Sequence, residues 1–378
     1  MGEPTRAGMA CRSLCQTCDE TSGSGIDCFA EKGGESMKGD EAWMKLAIEQ
    51  AQCGIGKTAP NPPVGAVIVK NGELLGKGWH RGAGLPHAER EALADARNNQ
   101  GEESLRGATA YVTLEPCSTF GRTPPCCDGL IEAGISRVVY ACVDPNPAHA
   151  GRADERLKRA GITVESGIME QEAQKILRPF AKVQRTGLPW VMVKMAMSLD
   201  GRISRPEGES QWLTGAAARA DVQRLRSEAD AILTSGATVR KDWPALTIRE
   251  PELLLGRLQP WRVIMTEHPA TLPQGAPVMS DEFCSRTLIR TGDIEKVLRD
   301  LVAEQGVLFV MVEAGGELVA ELWRLRLVDE WVCYLAPLLA GGSVAVAGDI
   351  DLSAHLTNAE WMRLGDDVRM RAVVTSRA

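Results

Sequence analysis

The sequence predicts an α/β protein of two domains. Three observations predict it. Its 378 residues exceed what one hydrophobic core usually serves. Strand-length apolar runs alternate with segments of helical period. The alternation breaks near RTGLP at 185–189 and then restarts with a strand.

Each element follows from local pattern. Met44, Ala47, Ile48 and Ala51 recur at helical spacing, so 41–52 is a helix. VGAVIVK at 64–70 is a strand. Asn71-Gly72 then signals a type I′ hairpin, with ELLGKGWH as the returning strand. A helix at 87–99, a strand at 109–114, a helix at 124–134 and a strand at 137–143 follow. Pro near its start and Gly at its end bound the helix at 124–134. A helix at 170–184 closes this half, an α/β sandwich around one sheet. The second half opens with a strand at 190–197, a helix near 215–228 and a buried strand at 230–235. WRVIMT, RTLIR and VLFVMVE are strands, with helices between the later ones. Gly315-Gly316 turns the last of these into the helix ELVAELWRLR, and WVCYLAP at 331–337 is a further strand. Neither half contains a short-period repeat.

Composition narrows the class. The net charge is −7, from 43 basic and 50 acidic residues, and no Lys/Arg run exceeds two. A polymeric nucleic-acid partner usually requires a basic footprint, so none is expected, whereas a small phosphorylated substrate needs only a few Arg. No apolar run approaches the ~20 residues that span a bilayer. The 11 cysteines read as thiols of a reducing cytoplasm, some of them metal ligands, rather than as disulfides. Residues 1–36 carry Cys11, Cys15, Cys18 and Cys28 but little apolar surface and no His. They read as a disordered extension rather than a metal knuckle, with Met37 an alternative start. The expected domains are then 37–185 and 186–378.

The first half carries chemistry at His87-Ala88-Glu89, Pro116-Cys117 and Cys126. One imidazole and two thiolates form a three-ligand zinc set with one position open for water. Zinc lowers the pKa of that water toward ~7. Glu89, two residues from His87, reaches the water without binding the metal and shuttles its proton to the leaving amine. Cys117 and Cys126 are each expected at or just before a helix start, where the positive helix end favours thiolate. Cys127 is a rival ligand to Cys126. Cys53, Cys142, Cys284 and Cys333 read as packing residues. In zinc deaminases of nucleosides, tRNA and polynucleotides two residues commonly separate the cysteines; here eight intervene.

APNPPVGAVIV at 59–69, GLPHAEREAL at 84–93 and YVTLEPCSTFGRTPPC at 111–126 closely resemble the bifunctional riboflavin-biosynthesis deaminase–reductases, in which the long gap between cysteines is characteristic. The resemblance implies a cytidine-deaminase-like α/β/α sandwich, with zinc on His87, Cys117 and Cys126, Glu89 as proton shuttle and Asn61 holding the pyrimidine. The family often has His where Thr119 stands.

The second half lacks the G-x-G-x-x-G fingerprint. VEAGGELVAEL at 312–322 is a strand–Gly–helix junction that can hold phosphate on backbone N–H groups, and by itself it is also an ordinary tight turn. Its Gly pair is expected to include a left-handed position. KMAMSLDGRI at 194–203, GESQWLT at 208–214, AILTSGATVRKDWPALTIR at 231–249 and the stretch 312–337 resemble the same family's reductase domain, so the similarity covers nearly all of the chain from residue 40. It implies a dihydrofolate-reductase-like α/β domain that uses NADPH. By resemblance, Ala196, Trp212, Thr238, Asp242, Gly315, Gly316, Glu317, Leu318, Val319, Ala320 and Glu321 contact the nucleotide. Ser210, Arg226, Leu246, Arg249 and Glu313 contact the sugar-phosphate substrate, with Arg226 and Arg249 reading its phosphate. Trp243 stands where the family usually has Asp, and Thr266-Glu267 where it has Asp-Ser. Glu267 would repel a cofactor phosphate.

The resemblance implies hydrolysis of the 2-amino group of a phosphoribosylamino-pyrimidine, then reduction of its ribosyl to ribityl. The cofactors are Zn2+ and NADPH, the partner is a small phosphorylated pyrimidine, no nucleic acid or membrane is involved, and a homo-oligomer is allowed. A deaminase with a degenerate reductase scaffold is the alternative. A nucleoside or tRNA deaminase is opposed by the eight-residue gap, the acidic charge and the second domain. A non-enzymatic metal protein is opposed by Glu89 beside an open site.

Overall fold

In the computed structural model the described residues are 39–120, 124–147, 149–205, 209, 212–341 and 354–375. The readings of the cysteine-rich start and of Ser210 lie outside them.

The first sheet is built from β1 (Gly65–Lys70), β2 (Glu73–Trp79), β3 (Thr109–Leu114), β4 (Arg137–Cys142) and β5 (Thr163–Ser166), in the order β2-β1-β3-β4-β5. β1 is antiparallel to β2 and β3, while β3, β4 and β5 run parallel. The hairpin turn is as the sequence predicts: Asn71 and Gly72 have φ of 53° and 78°, the left-handed pair of a type I′ turn. Strand alternation sends Ala66 and Ile68 to one face and Val67 and Val69 to the other. On the first face lie α2 (Ala88–Gln100), α3 (Cys126–Glu132) and α4 (Arg152–Arg159), through Ala92, Leu93, Leu130 and Leu157. On the second lie α1 (Asp40–Gln52) and α5 (Glu170–Thr186), through Met44, Ala47 and Leu177. The result is the expected α/β/α sandwich. α2 approaches β2 closely because Gly78 has no side chain: a Cβ there would lie 2.4 Å from the Ala92 nitrogen.

The second sheet has eight strands, β6 (Trp190–Ser198), β7 (Ala231–Ser235), β8 (Trp261–Met265), β9 (Thr287–Arg290), β10 (Phe309–Val312), β11 (Glu330–Ala336), β12 (His355–Leu364) and β13 (Asp367–Thr375). Their order is β12-β13-β11-β6-β10-β7-β8-β9. The strands from β11 to β9 in that order are parallel, and β13 and β12 add an antiparallel edge. α6 (Ala216–Glu228) packs on Met192, Met311 and Tyr334. α7 (Gly236–Asp242) and the short α8 (Pro277–Ser280) pack on Ile232 and Ile264. α9 (Ile294–Gln305) and α10 (Gly316–Arg324) cover Val193, Val263 and Val310 on the other face. α5 also touches this half, where Lys182 pairs with Asp329 at 2.5 Å.

The sequence reading leaves out α4, β5, α7 and the β12–β13 hairpin. β5 is a mostly exposed edge strand with no apolar alternation, and β12 is exposed along nearly its whole length. α7 spans only 7 residues and begins with Gly. Pattern alone does not report such elements, because their positions come from neighbouring strands and helices.

Candidate active sites

Three chain segments build the first site. His87 is the N-cap of α2, and Glu89 follows in its first turn. Cys126 is the first residue of α3. Cys117 does not stand at a helix start as expected; it lies in the irregular segment after β3. The helix end reaches it all the same, since the Cys126 N–H of α3 donates to Cys117 Sγ at 3.2 Å.

His87 Nδ1 lies 3.5 Å from Cys117 Sγ and 3.3 Å from Cys126 Sγ, and the three donor atoms fall within 4.8 Å of one another. A tetrahedral zinc with ordinary Zn–S and Zn–N bonds would separate N and S by about 3.5 Å. The donor set therefore fits zinc in both chemistry and spacing. The hydrogen bond from the Cys126 thiol, outweighing burial, holds the Cys117 thiol well below its usual range, and His87 adds to it. Cys127 points away: its thiol faces the Pro116 carbonyl at 3.7 Å, it packs in the core, and burial pushes its pKa up to about 12. Glu89 is 4% exposed, and burial first, then the Cys117 charge, raises its carboxyl above the ordinary value. A buried carboxyl of raised pKa beside the donor set is suited to holding and passing a proton.

One residue of this site is absent from the sequence reading. His80, at the end of the β2 hairpin, is 2% exposed, with Nδ1 3.0 Å from the Pro86 carbonyl and Nε2 2.9 Å from Asn61 Nδ2. Nδ1 donates to the carbonyl, so Nε2 accepts from the Asn61 amide, and the amide orientation is fixed. Burial lowers the His80 pKa, which keeps the ring neutral for this role. Its ring also meets His87 edge-on, with centroids 5.3 Å apart. Its signal in the sequence was a histidine closing a strand seven residues before the ligand. Thr119 hydrogen-bonds through Oγ1 to His149 Nδ1 at 3.1 Å, so an imidazole stands beside position 119 after all, supplied by another loop.

Removing residues 1–36 is expected to leave one zinc per chain in place. Metal analysis of the shortened protein checks it, and loss of the zinc would move the site to the N-terminal cysteines.

Of the second group of residues, the contacts bring together Arg226 and Glu313, the latter just past the end of β10. Asp242 ends α7, which follows the neighbouring β7, and strand ends of this kind are where open parallel sheets hold ligands. Glu313 follows β10 and takes both arms of the Arg226 guanidinium, at 2.6 and 3.1 Å. Arg226 also donates to the Thr247 carbonyl at 2.9 Å, and Lys194 stands 3.6 Å from Glu313. Burial alone would raise the Glu313 carboxyl; Arg226 and Lys194 outweigh it and hold it at about 2. Lys194, on β6, is a second residue the sequence reading passed over. Leu246 is buried with φ of 54°, and Arg249 is exposed, its backbone N–H bonded to Gln223.

The two helix starts differ. Ser235 caps α7 by accepting the Thr238 N–H at 3.1 Å. α10 has no side-chain cap, which leaves its first N–H groups available to phosphate. Gly315 has φ of −74°, and neither Gly315 nor Gly316 is left-handed, contrary to expectation. A Cβ at Gly315 would meet nothing within 4 Å, so neither its backbone angle nor a neighbouring atom of the chain requires glycine there. In the first turns of α10 Glu317 is exposed, while Val319 is fully buried under the sheet. Ala196 lies on β6, and Asp242 ends α7. Trp212 is half exposed with the Arg219 guanidinium 5.3 Å from its ring centre. Trp243 is left-handed (φ 47°), half exposed and packed near Gly275. Glu267 accepts the Gly292 N–H at 3.0 Å.

Residues 37–142 match the cytidine and deoxycytidylate deaminase zinc-binding region, and residues 189–370 match the RibD C-terminal domain. The chain is 43% identical to the riboflavin biosynthesis protein RibD of Escherichia coli, over 80% of this chain and 89% of that one. It is 43% identical to RibD of Mycobacterium tuberculosis, over 90% and 98%. Among solved structures, Acinetobacter baumannii RibD aligns with a TM-score of 0.81 at 37% identity, covering 89% of this chain and 99% of that one. A diaminohydroxyphosphoribosylaminopyrimidine deaminase/5-amino-6-(5-phosphoribosylamino)uracil reductase from Thermotoga maritima aligns at 0.77 and 34%, covering 89% and 98%.

Proposed function

The chain belongs to the RibD family of riboflavin biosynthesis, zinc deaminase and NADPH-dependent reductase in one polypeptide, and from that membership we propose the residues and the order in which its two halves act. The observation that carries the reading is the His87–Cys117–Cys126 donor set with buried Glu89 beside it.

Residues 37–185 deaminate 2,5-diamino-6-(5-phosphoribosylamino)pyrimidin-4-one. His87, Cys117 and Cys126 hold zinc, which when bound supplies a water of pKa near ~7. Glu89 takes a proton from the attacking water and gives it to the departing amine, which leaves as ammonia. Asn61, its Nδ2 engaged by His80, offers its amide oxygen to the pyrimidine. Residues 186–378 then reduce the ribosyl group to ribityl. NADPH supplies the hydride. The open α10 start at Gly315-Gly316 receives a cofactor phosphate, and exposed Arg249 reads the substrate phosphate. Arg226, committed on both arms to Glu313, shapes the substrate wall rather than meeting the phosphate alone.

No helix among the described residues is long and apolar enough to cross a membrane. The described cysteines are free, and two serve as metal ligands, which favours a reducing cytoplasm as the site of action. The partner is a small phosphorylated pyrimidine rather than a nucleic acid, in line with the net charge of −7.

Glu267 and Trp243 are the reasons to test the reductase half directly. The full-length protein is given the deaminated intermediate and each nicotinamide in turn. Oxidation of NADPH is expected, with its preference over NADH narrowed by Glu267, since one exposed charge contact is worth up to about 1 kcal/mol. Turnover with neither cofactor would make the second domain a scaffold.

A further inference from the structure

The eight residues between Cys117 and Cys126 rule out the single helical turn that would set the distance between more closely spaced cysteines. Something else must hold the two segments together. Direct contacts between them are the Cys126 N–H to Cys117 Sγ, the Cys127 N–H to the Cys117 carbonyl at 3.2 Å, and the Cys127 thiol to the Pro116 carbonyl at 3.7 Å. All of them join α3 to Cys117 or the residue before it, and none reaches the chain beyond Cys117.

A further tie comes from α4. Arg156 Nη1 donates to the carbonyl of Ser118, the residue after one ligand, at 2.9 Å. Its Nη2 pairs with the carboxylate of Asp128, two residues after the other ligand on α3. One guanidinium fork thus spans both cysteine-bearing segments, a geometry a single ammonium does not reproduce.

The arm that carries Arg156 is itself held from the metal side. Glu115, two residues before Cys117, is 4% exposed at the end of β3. Its carboxylate accepts three backbone N–H groups from beyond β4: Asp144 at 3.2 Å, Gly151 at 3.0 Å and Ala153 at 3.0 Å. Gly151 and Ala153 belong to the start of α4, which has no cap of its own. Glu115 supplies that cap from another strand, with its negative charge at the favourable helix end. The chain of contacts closes: Glu115 anchors α4, α4 presents Arg156, and Arg156 fastens Ser118 to Asp128.

We propose that Arg156 is a positioning residue for the metal site, holding the Cys117 and Cys126 segments at the spacing the metal requires, with Glu115 as the anchor of its helix. This rests on the zinc reading above. Partners outside the ligand set typically change metal affinity or activity by about 10–100-fold.

The test uses full-length Arg156→Gln. Zinc release to a chelator is followed beside NADPH oxidation with the deaminated intermediate. Release is expected to be about 10–100-fold faster, with NADPH oxidation unchanged. Arg156→Lys, which keeps the charge but reaches one partner, is expected to release zinc nearly as fast. Unchanged release in Arg156→Gln, or full restoration by Lys, would overturn the proposal and leave the zinc reading standing. Wild-type protein without zinc would overturn both. If Arg156→Gln loses both activities through misfolding, Asp128→Asn, which frees only the α3 arm, must also speed release, and its failure to do so counts against the proposal.

Discussion

Glu89→Gln is expected to keep its zinc and lose ammonia release by at least ~100-fold, the contribution of a positioned acid/base group. The substitution is nearly isosteric and leaves His87, Cys117 and Cys126 in place, so metal content should not change. What it removes is the ability to take up and give back a proton. Burial raises the Glu89 carboxyl, so the protonated form is accessible to the acid half of the cycle. The second domain does not use Glu89, so NADPH oxidation with the deaminated intermediate should continue. Metal analysis, ammonia assay and NADPH absorbance read the three quantities separately. Near-normal ammonia release by this variant would remove Glu89 from the mechanism.

Glu313→Gln should have the largest effect on stability. It leaves the Arg226 guanidinium, with a side chain 10% exposed, facing Lys194 without the carboxylate that neutralises both. Breaking a buried pair from one side costs about 3–5 kcal/mol. The pH dependence has a definite sign. The folded Glu313 carboxyl sits at about 2, below its unfolded value near ~4.3. A carboxyl depressed on folding contributes its full stability above the unfolded pKa and loses it as pH falls through the folded one. Wild type and variant should therefore differ most at neutral pH and converge between about pH 4 and pH 2. Urea unfolding of both proteins at pH 7 and pH 3 checks this. A gap that does not narrow at pH 3 would separate the stability of the domain from this ion pair.

Most of the architecture was legible because its strands carry apolar runs that a period of two or 3.6 resolves. β3 was bounded in sequence at 109–114 and is found there. The edges were not legible: β5, β12 and β13 are positioned by the strands beside them. The donor set was legible because His-x-Glu and Pro-Cys combine local spacing with demanding chemistry. Choosing Cys126 over Cys127 from residues alone was not, since adjacent positions differ only in which way α3 turns them. His80 and Glu115 stayed hidden for another reason: each acts through a contact distant in sequence, on Asn61 and on the α4 start. Gly315 shows a different limit, since neither a left-handed angle nor a close neighbour in the chain accounts for the glycine expected to supply one.

The most direct test of two activities in one chain is a single reaction of the purified protein with the phosphoribosylamino-pyrimidine, followed for ammonia and for NADPH at once. Ammonia should appear with or without NADPH. NADPH oxidation should begin only as ammonia accumulates, and with Glu89→Gln it should appear only when the deaminated intermediate is supplied. Ammonia release that never leads to NADPH oxidation, or NADPH oxidation that precedes ammonia, would contradict the account.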